Sequence, residues 1–182
     1  MQDPPADERE AIAGDDGLLM LASAKEGAGG KENEDLIEEA LKQRGKPYIW
    51  GGASRGGFDC SGFVCYIYKT MRGMNLPHSA AAQSRLGTPV ERGELRAGDL
   101  VFFSTYRSGI SHVGIYIGEN KFIHAANTRK DVRIDTLTGY YHKRYRGARR
   151  LSRSPIELDK KELDRLMKES SELPAKEPAN SE

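Results

Sequence analysis

The stretch GGFDCSGFVCYIY, residues 56–68, holds both cysteines of this 182-residue chain, five positions apart. Asp59 is a good helix N-cap, because its short carboxylate can accept from the unpaired N–H groups of a first turn. Phe63, Val64, Ile67, Tyr68 and Met71 follow at helical spacing, and Gly73 is placed to end the run in a left-handed turn. This pattern predicts a helix from Cys60 to about Arg72. On a helix, residues i and i+5 point ~140° apart, so a Cys60–Cys65 disulfide is disfavoured and both are expected as free thiols.

The two thiols differ in setting. Cys60 falls in the first turn, where unpaired N–H groups and the helix dipole stabilise an anion and lower a thiol's pKa. Gly56, Gly57 and Gly62 let backbone or substrate come close to it. Cys65 lies within the apolar helix beside Val64 and Tyr66 and reads as a small buried hydrophobe. Cys60 taken alone fits a core residue as well as a nucleophile, so its partners must decide.

Outward from this helix, residues 34–45 (EDLIEEALKQRG) place Leu36, Ile37, Ala40 and Leu41 on one helical face, with Gly45 as the stop. KPYIWGG is a short extended piece running into a Gly-rich loop. A third helix is expected from Ser79 to near Gly87. After Gly93 the texture changes to short β-type runs: DLVFFS, HVGIYIG, KFIHAA, DVRIDTL and RGARRL. Helices first and strands afterwards predict an α+β fold with a mostly antiparallel sheet.

Residues 1–35 carry ten acids against three bases, and residues 1–33 show no sustained period, the composition of a disordered leader or linker. Residues 34–152 form the expected domain. Beyond it, Ser154 as N-cap, Pro155 at the first helical position and a sparse stripe through Leu163, Leu166 and Met167 predict an appended helix with a loose tail. Net charge is +1 and 37% of residues are apolar, which argues against wholesale disorder and against a spanning protein. No apolar run approaches the ~18 residues that cross a bilayer. GLLMLASA follows an acidic stretch and is no evident signal peptide, so membrane anchoring would depend on a leader removed upstream.

A thiolate nucleophile needs a base that activates it and later protonates the leaving amine. His78 and His142 read as surface residues. His112 and His124 instead sit on two neighbouring strands joined by a tight turn at Gly118, Glu119 and Asn120. A three-residue loop makes Ile117 face Lys121, sets His124 opposite Gly114, and puts His112 diagonal to His124 on one face. Diagonal side chains lie ~7–8 Å apart at Cβ, within reach for two imidazoles. His124 would then fix the tautomer of His112, as the third member of a triad does. A two-residue loop would send the two rings to opposite faces. Zinc held by Cys60, His112 and His124 with a water is the competing chemistry, but no compact ligand pair supports it, and the expectation is no metal. Two structural histidines remain open.

PYIWGG, DCSGF, LRAGDLVFF, SHVGIYIG and FIHA, in this order, resemble the NlpC-type cell-wall cysteine endopeptidases, closest to their small murein endopeptidase lipoproteins. The resemblance covers roughly residues 35–152 and ends in RGARRL. It implies a papain-like α+β fold, with the cysteine helix packed on the sheet that carries the histidines. It also implies hydrolysis of peptidoglycan stem-peptide amides without a cofactor. By motif position, Cys60 is the nucleophile, His112 the base and acid, and His124 the orienting residue. Tyr48 and the Cys60 N–H are the oxyanion donors. Asp59 and Ser61 line the substrate groove, although Asp59 is also an N-cap. Arg55 and Arg107 are candidates for stem-peptide carboxylates. Trp50 reads as a core aromatic, and Asp99 as a turn residue at the start of a strand.

The chain is therefore expected to be a secreted or periplasmic thiol endopeptidase, monomeric and without nucleic-acid partners. Three competitors are a non-catalytic module that docks wall peptides, a thiol amidase or acyltransferase for another substrate, and a polyanion binder using the basic stretch 121–153. That stretch alternates with apolar residues and reads better as one solvated sheet face.

Overall fold

The computed structural model describes residues 33–127, 131–151 and 167–168. The leader through residue 32 and Ser154, Pro155, Leu163 and Leu166 of the appended segment lie outside the described residues. Met167 is helical and exposed.

The order of elements is α1 (Glu34–Lys42), β1 (Ala53–Ser54), β2 (Gly57–Phe58), α2 (Cys60–Arg72), α3 (Ala80–Gln83), β3 (Thr88–Val90), β4 (Leu100–Phe103), β5 (His112–Gly118), β6 (Lys121–Ala126), β7 (Asp131–Thr136), α4 (Gly139–Arg144) and β8 (Tyr145–Arg150). Six strands form one antiparallel sheet in the order β3-β8-β4-β5-β6-β7, and β1–β2 is a separate small hairpin. The class is α+β, as the run of helices before strands predicts.

Helix α2 has the predicted bounds, and both ends have a local cause. Asp59 Oδ1 accepts from Gly62 N at 2.7 Å at the start. At the end Gly73 adopts φ +68°, its N–H donating to the Lys69 carbonyl while Met74 N–H donates to that of Tyr68. This paired closure needs a left-handed residue, which glycine adopts without a Cβ clash.

Side chains alternate along each strand, so the sheet has two buried faces. One face (Leu100, Phe102, Val113, Ile115, Ile123 and Ile134) packs against Phe63, Val64 and Ile67 of α2 and Leu36, Ile37 and Ala40 of α1. The opposite face holds a smaller cluster of Val101, Phe103, Tyr116, Phe122, Leu137 and Ala148, covered by Tyr141 and Tyr145. His112, His124 and Asp135 alternate onto this second face.

Four features depart from the sequence expectation. Helix α3 stops at Gln83 instead of running towards Gly87, because the Arg85 and Leu86 N–H groups bond three residues back and tighten the chain into a turn. Strand β3 contains Pro89, tolerated because β3 is an edge strand pairing only with β8. Helix α4 interrupts the run of strands. The fourth departure is the β5–β6 connection. It is a two-residue turn, with Glu119 at φ +50° and Asn120 at φ +56°, and Gly118 rather than Ile117 faces Lys121. The register shifts between Tyr116 and Gly118, leaving Ile117 as an extra residue, so that Tyr116 faces Phe122 and Ile115 faces Ile123. The bulge adds back the residue that the turn lacks, and the histidines stay on one face.

Asp99 has the turn role read from sequence. Buried, it accepts from Arg96 N at 2.8 Å and from Arg150 Nε and Nη2 at 2.8 and 2.7 Å, tying the end of β8 to the start of β4. Arg150→Met strands that carboxylate. Urea unfolding is expected to show a loss of about 2 kcal/mol, below the usual cost of breaking a buried pair because Arg150 is partly exposed. The exposed Arg146→Met should change stability by less than ~0.5 kcal/mol.

Candidate active site

Cys60 is the first residue of α2 and exposes only 2% of its surface. Its Sγ lies 4.0 Å from the carbonyl oxygen of Ser111, so the helix start abuts the first residues of β5. The first turn is pressed against the loop before β1. Asp59 N–H donates to Gly52 O at 2.9 Å, and a Cβ on Gly62 would stand 1.9 Å from that same oxygen.

Asp59 is buried, with its carboxylate engaged on every side. Oδ1 accepts from Gly62 N, from Ser61 Oγ at 3.3 Å and from His78 Nε2 at 2.7 Å, and Oδ2 accepts from Gly51 N at 3.0 Å. Ser61 is fully buried. Both residues brace the helix start from inside the protein. His78 is at the surface, as read from sequence, but its bond to Asp59 was not foreseen.

On the second sheet face, His112 Nε2 lies 2.6 Å from His124 Nδ1, with the rings nearly perpendicular. Gly114 makes this possible, since a Cβ there would come within 2.6 Å of Phe122 Cδ2 and 3.1 Å of His124 Cβ. His124 Nε2 in turn lies 2.9 Å from Asp135 Oδ2. With its Nε2 directed to His124, His112 has Nδ1 as the ring nitrogen left for a thiol proton. Tyr141 from α4 roofs the pair, its ring 5.4 Å from His124 and 6.4 Å from His112 between centroids. Its phenol is hydrogen-bonded to Asp135, and burial, with Asp135 adding, pushes its pKa well above the ordinary tyrosine value.

Tyr48 forms a bridge with Phe58 next to the helix start. Burial raises its pKa, and the neighbouring Cys60 and Asp59 raise it further, so it stays a neutral O–H donor beside the thiol. Cys65 is the opposite case. Packed against the core and close to the Leu76 carbonyl, its thiol is pushed up to about 12, chiefly by burial. At pH 8 that leaves a thiolate fraction of ~10⁻⁴. Iodoacetamide in limited amount is therefore expected to label Cys60 at least about a hundredfold faster than Cys65 by peptide mass mapping. Comparable labelling of folded protein would contradict this assignment.

The remaining candidates are peripheral. Arg55, exposed at the tip of the β1–β2 hairpin, donates from Nε to Tyr66 Oη at 2.6 Å and faces Glu39, turned towards α1. Arg107 is exposed on the loop before β5, next to Tyr106. Trp50 is not a core aromatic: it is 37% exposed and its neighbour Ile49 47%, because the Gly51–Gly52 loop turns outward there. His142 is exposed, as read from sequence. Sequence reasoning missed Asp135 and Tyr141 altogether.

The description NlpC/P60 family matches residues 45–150, more than half of the chain. Murein DD-endopeptidase MepH of Escherichia coli (strain K12) is 42% identical over 136 residues, covering 72% of this chain and 50% of that protein. Gamma-D-glutamyl-L-lysine dipeptidyl-peptidase of Bacillus subtilis (strain 168) is 44% identical over 108 residues, covering 58% of this chain and 36% of that protein. The crystal structure of a NlpC/P60 family protein from Bacillus cereus ATCC 10987 superposes with a TM-score of 0.61 at 42% identity, over 64% of this chain and 39% of that one. The chain thus spans half or less of the length of these relatives.

Proposed function

The chain belongs to the NlpC/P60 family, and from that premise we propose that it is a cysteine endopeptidase hydrolysing amide bonds in peptidoglycan stem peptides or their cross-links. The observation that carries the reading is the conjunction of a thiol at a helix N-terminus, set against Ser111, with a buried 2.6 Å histidine pair beginning at the next residue. The names of the two relatives point to peptidoglycan peptides.

In this mechanism His112 Nδ1 takes the thiol proton and the Cys60 thiolate attacks the scissile carbonyl carbon. The carbonyl electron pair moves to oxygen, where the Cys60 N–H at the helix start and the Tyr48 hydroxyl receive the negative charge. When the tetrahedral intermediate collapses, the C–N bond breaks and His112 gives its proton to the departing amine, leaving an acyl-Cys60 thioester. Water then attacks that thioester with His112 as base, releasing the carboxylate product and the thiol. His124 holds the ring of His112. Asp59 and Ser61 shape the groove floor by fixing the helix start, and Arg107 is the better placed arginine for a substrate carboxylate. Arg55 is already committed to Tyr66 and Glu39.

Peptidoglycan lies outside the cytoplasm, so the proposed place of action is the periplasm or wall. No helix among the described residues is long and apolar enough to cross a membrane. The test is mass spectrometry of purified cross-linked and monomeric muropeptides incubated with the protein, with and without prior alkylation of Cys60. Fragments formed only by the unalkylated protein support the reading and identify the bond from their masses. No fragments between pH 5 and 9 with reductant present would move the assignment to a docking module or another amide.

A further inference from the structure

The histidine pair does not end at His124. We propose that Asp135 is a positioning residue, whose carboxylate fixes the tautomer of His124 and, through it, the tautomer of His112. The inference deepens the reading above and rests on it.

Proton order along the chain of bonds carries the argument. An ionised carboxylate can only accept, so at 2.9 Å from Asp135 Oδ2 the His124 Nε2 must bear a proton. Neutral His124 then has a bare Nδ1, which can only accept across the 2.6 Å contact with His112. His112 must therefore carry its proton on Nε2, which leaves Nδ1 bare and able to take the proton from Cys60. When it does, His112 becomes an imidazolium whose Nε2–H still points at an acceptor. One acid at the far end thus orders two imidazoles.

The surroundings of Asp135 suit that role from every side. From α4, Tyr141 donates its hydroxyl to the carboxylate, and Tyr140 packs edge-on against Tyr141 at 5.0 Å. From β7 itself, Arg133 Nε stands 3.7 Å from Asp135 Oδ1, with Asp131 Oδ1 3.9 Å from Arg133 Nη1. At those lengths Arg133 supplies charge without a directed bond. From β6 comes His124, and behind it His112 from β5. Tyr141 and His124 both donate, so the carboxylate is held as an acceptor.

An asparagine at this position can turn its NH2 towards His124 Nε2. That reverses the order: His124 carries its proton on Nδ1, His112 accepts at Nε2, and the His112 proton moves to Nδ1, where it blocks uptake from the thiol. A wrong tautomer imposed in this way is known to cost a serine triad orders of magnitude. The second imidazole here softens the effect.

The test compares wild type with Asp135→Asn and Tyr141→Phe, each checked by circular dichroism and thermal melting. For Asp135→Asn, kcat on muropeptides should fall about tenfold to a hundredfold with KM within twofold. The pH at which iodoacetamide alkylation of Cys60 reaches half its maximal rate should move upward, because the imidazolium partner of the thiolate is less stabilised. Tyr141→Phe should shift both in the same direction by a few-fold, and it decides the matter if Asp135→Asn does not fold. A kcat within twofold of wild type overturns the proposal. So does lost activity with an unmoved alkylation profile, since a merely structural role predicts that pattern. Alkylation needs no substrate, so the Asp135 result stands even if no muropeptide is cleaved.

Discussion

Cys60→Ala is expected to reduce muropeptide hydrolysis by at least about 10⁴-fold, in effect to background, while leaving the fold intact. Cys60 is the only thiol that can serve. Cys65 is on the same helix but points elsewhere around the axis and is packed against core residues, where burial pushes its thiol up to about 12. His112→Ala should approach the same loss, because a thiol without its base at the His112 position is both less ionised and unable to protonate the leaving amine. The two residues act as one unit, so the double variant should be no worse than Cys60→Ala alone, far from the product of the single losses. Product formation by mass spectrometry under enzyme excess gives the comparison. Cys60→Ala retaining more than about 1% of the wild-type rate would remove covalent catalysis from the mechanism.

Gly62→Ala is the second large effect, and its sign is the informative part. In an exposed helix, alanine is more stable than glycine by about 1 kcal/mol. Here the added methyl would stand 1.9 Å from Gly52 O and 2.9 Å from Asp59 Oδ1, and the nearer atom is backbone that cannot rotate away. Either the loop or the first turn of α2 must move. The expected result in urea unfolding is a loss of about 3 kcal/mol or more, with hydrolysis falling alongside because Cys60 lies in the turn that moves. Gly73→Ala is the useful comparison. Its Cβ meets nothing within 4 Å, so only the left-handed φ of +68° is strained, at a cost of about 1 kcal/mol. An unchanged or raised stability for Gly62→Ala would show that the Gly52 loop yields freely.

The bounds of α2 were legible because the signals are local. Asp59 and Gly73 do their work within one turn of the helix they flank, and an apolar stripe joins them. The β-type runs after Gly93 were legible for a similar reason, since four or more consecutive strand-forming residues declare themselves. Strand β3 was not, because Pro89 argues against a strand except at an edge, and edge position is a property of the whole sheet. Helix α4 has six residues and begins with glycine, too short for a period to show.

The site divided along the same line. Cys60 stood out through its cap, and the two histidines through their strands. Asp135 did not stand out, because its approach to His124 depends on the β6–β7 register, in which His124 faces Arg133 and Asp135 sits diagonally beyond it. Tyr141 comes from a helix the sequence did not announce. His78 looked isolated because nothing local brings it to Asp59, 19 residues away in sequence. Trp50 was misjudged because an aromatic next to an apolar strand is usually inside, whereas here a left-handed Gly51 turns the loop outward.

The bulge at Ile117 bears on how this hairpin can vary in length. Surface turns ordinarily accept insertions and deletions, and the exposed Glu119–Asn120 tip looks like such a place. Here what must be kept is register rather than length: a two-residue turn alone would shift the pairing by one residue, and the extra Ile117 shifts it back. A one-residue slip of β6 along β5 exchanges His124 for a neighbour that points into the helical core. A gain absorbed within the tip leaves the pairs behind it, and both rings, in place. The tip is thus free in length, and the chemistry at His112 is protected by the pairs that precede the bulge.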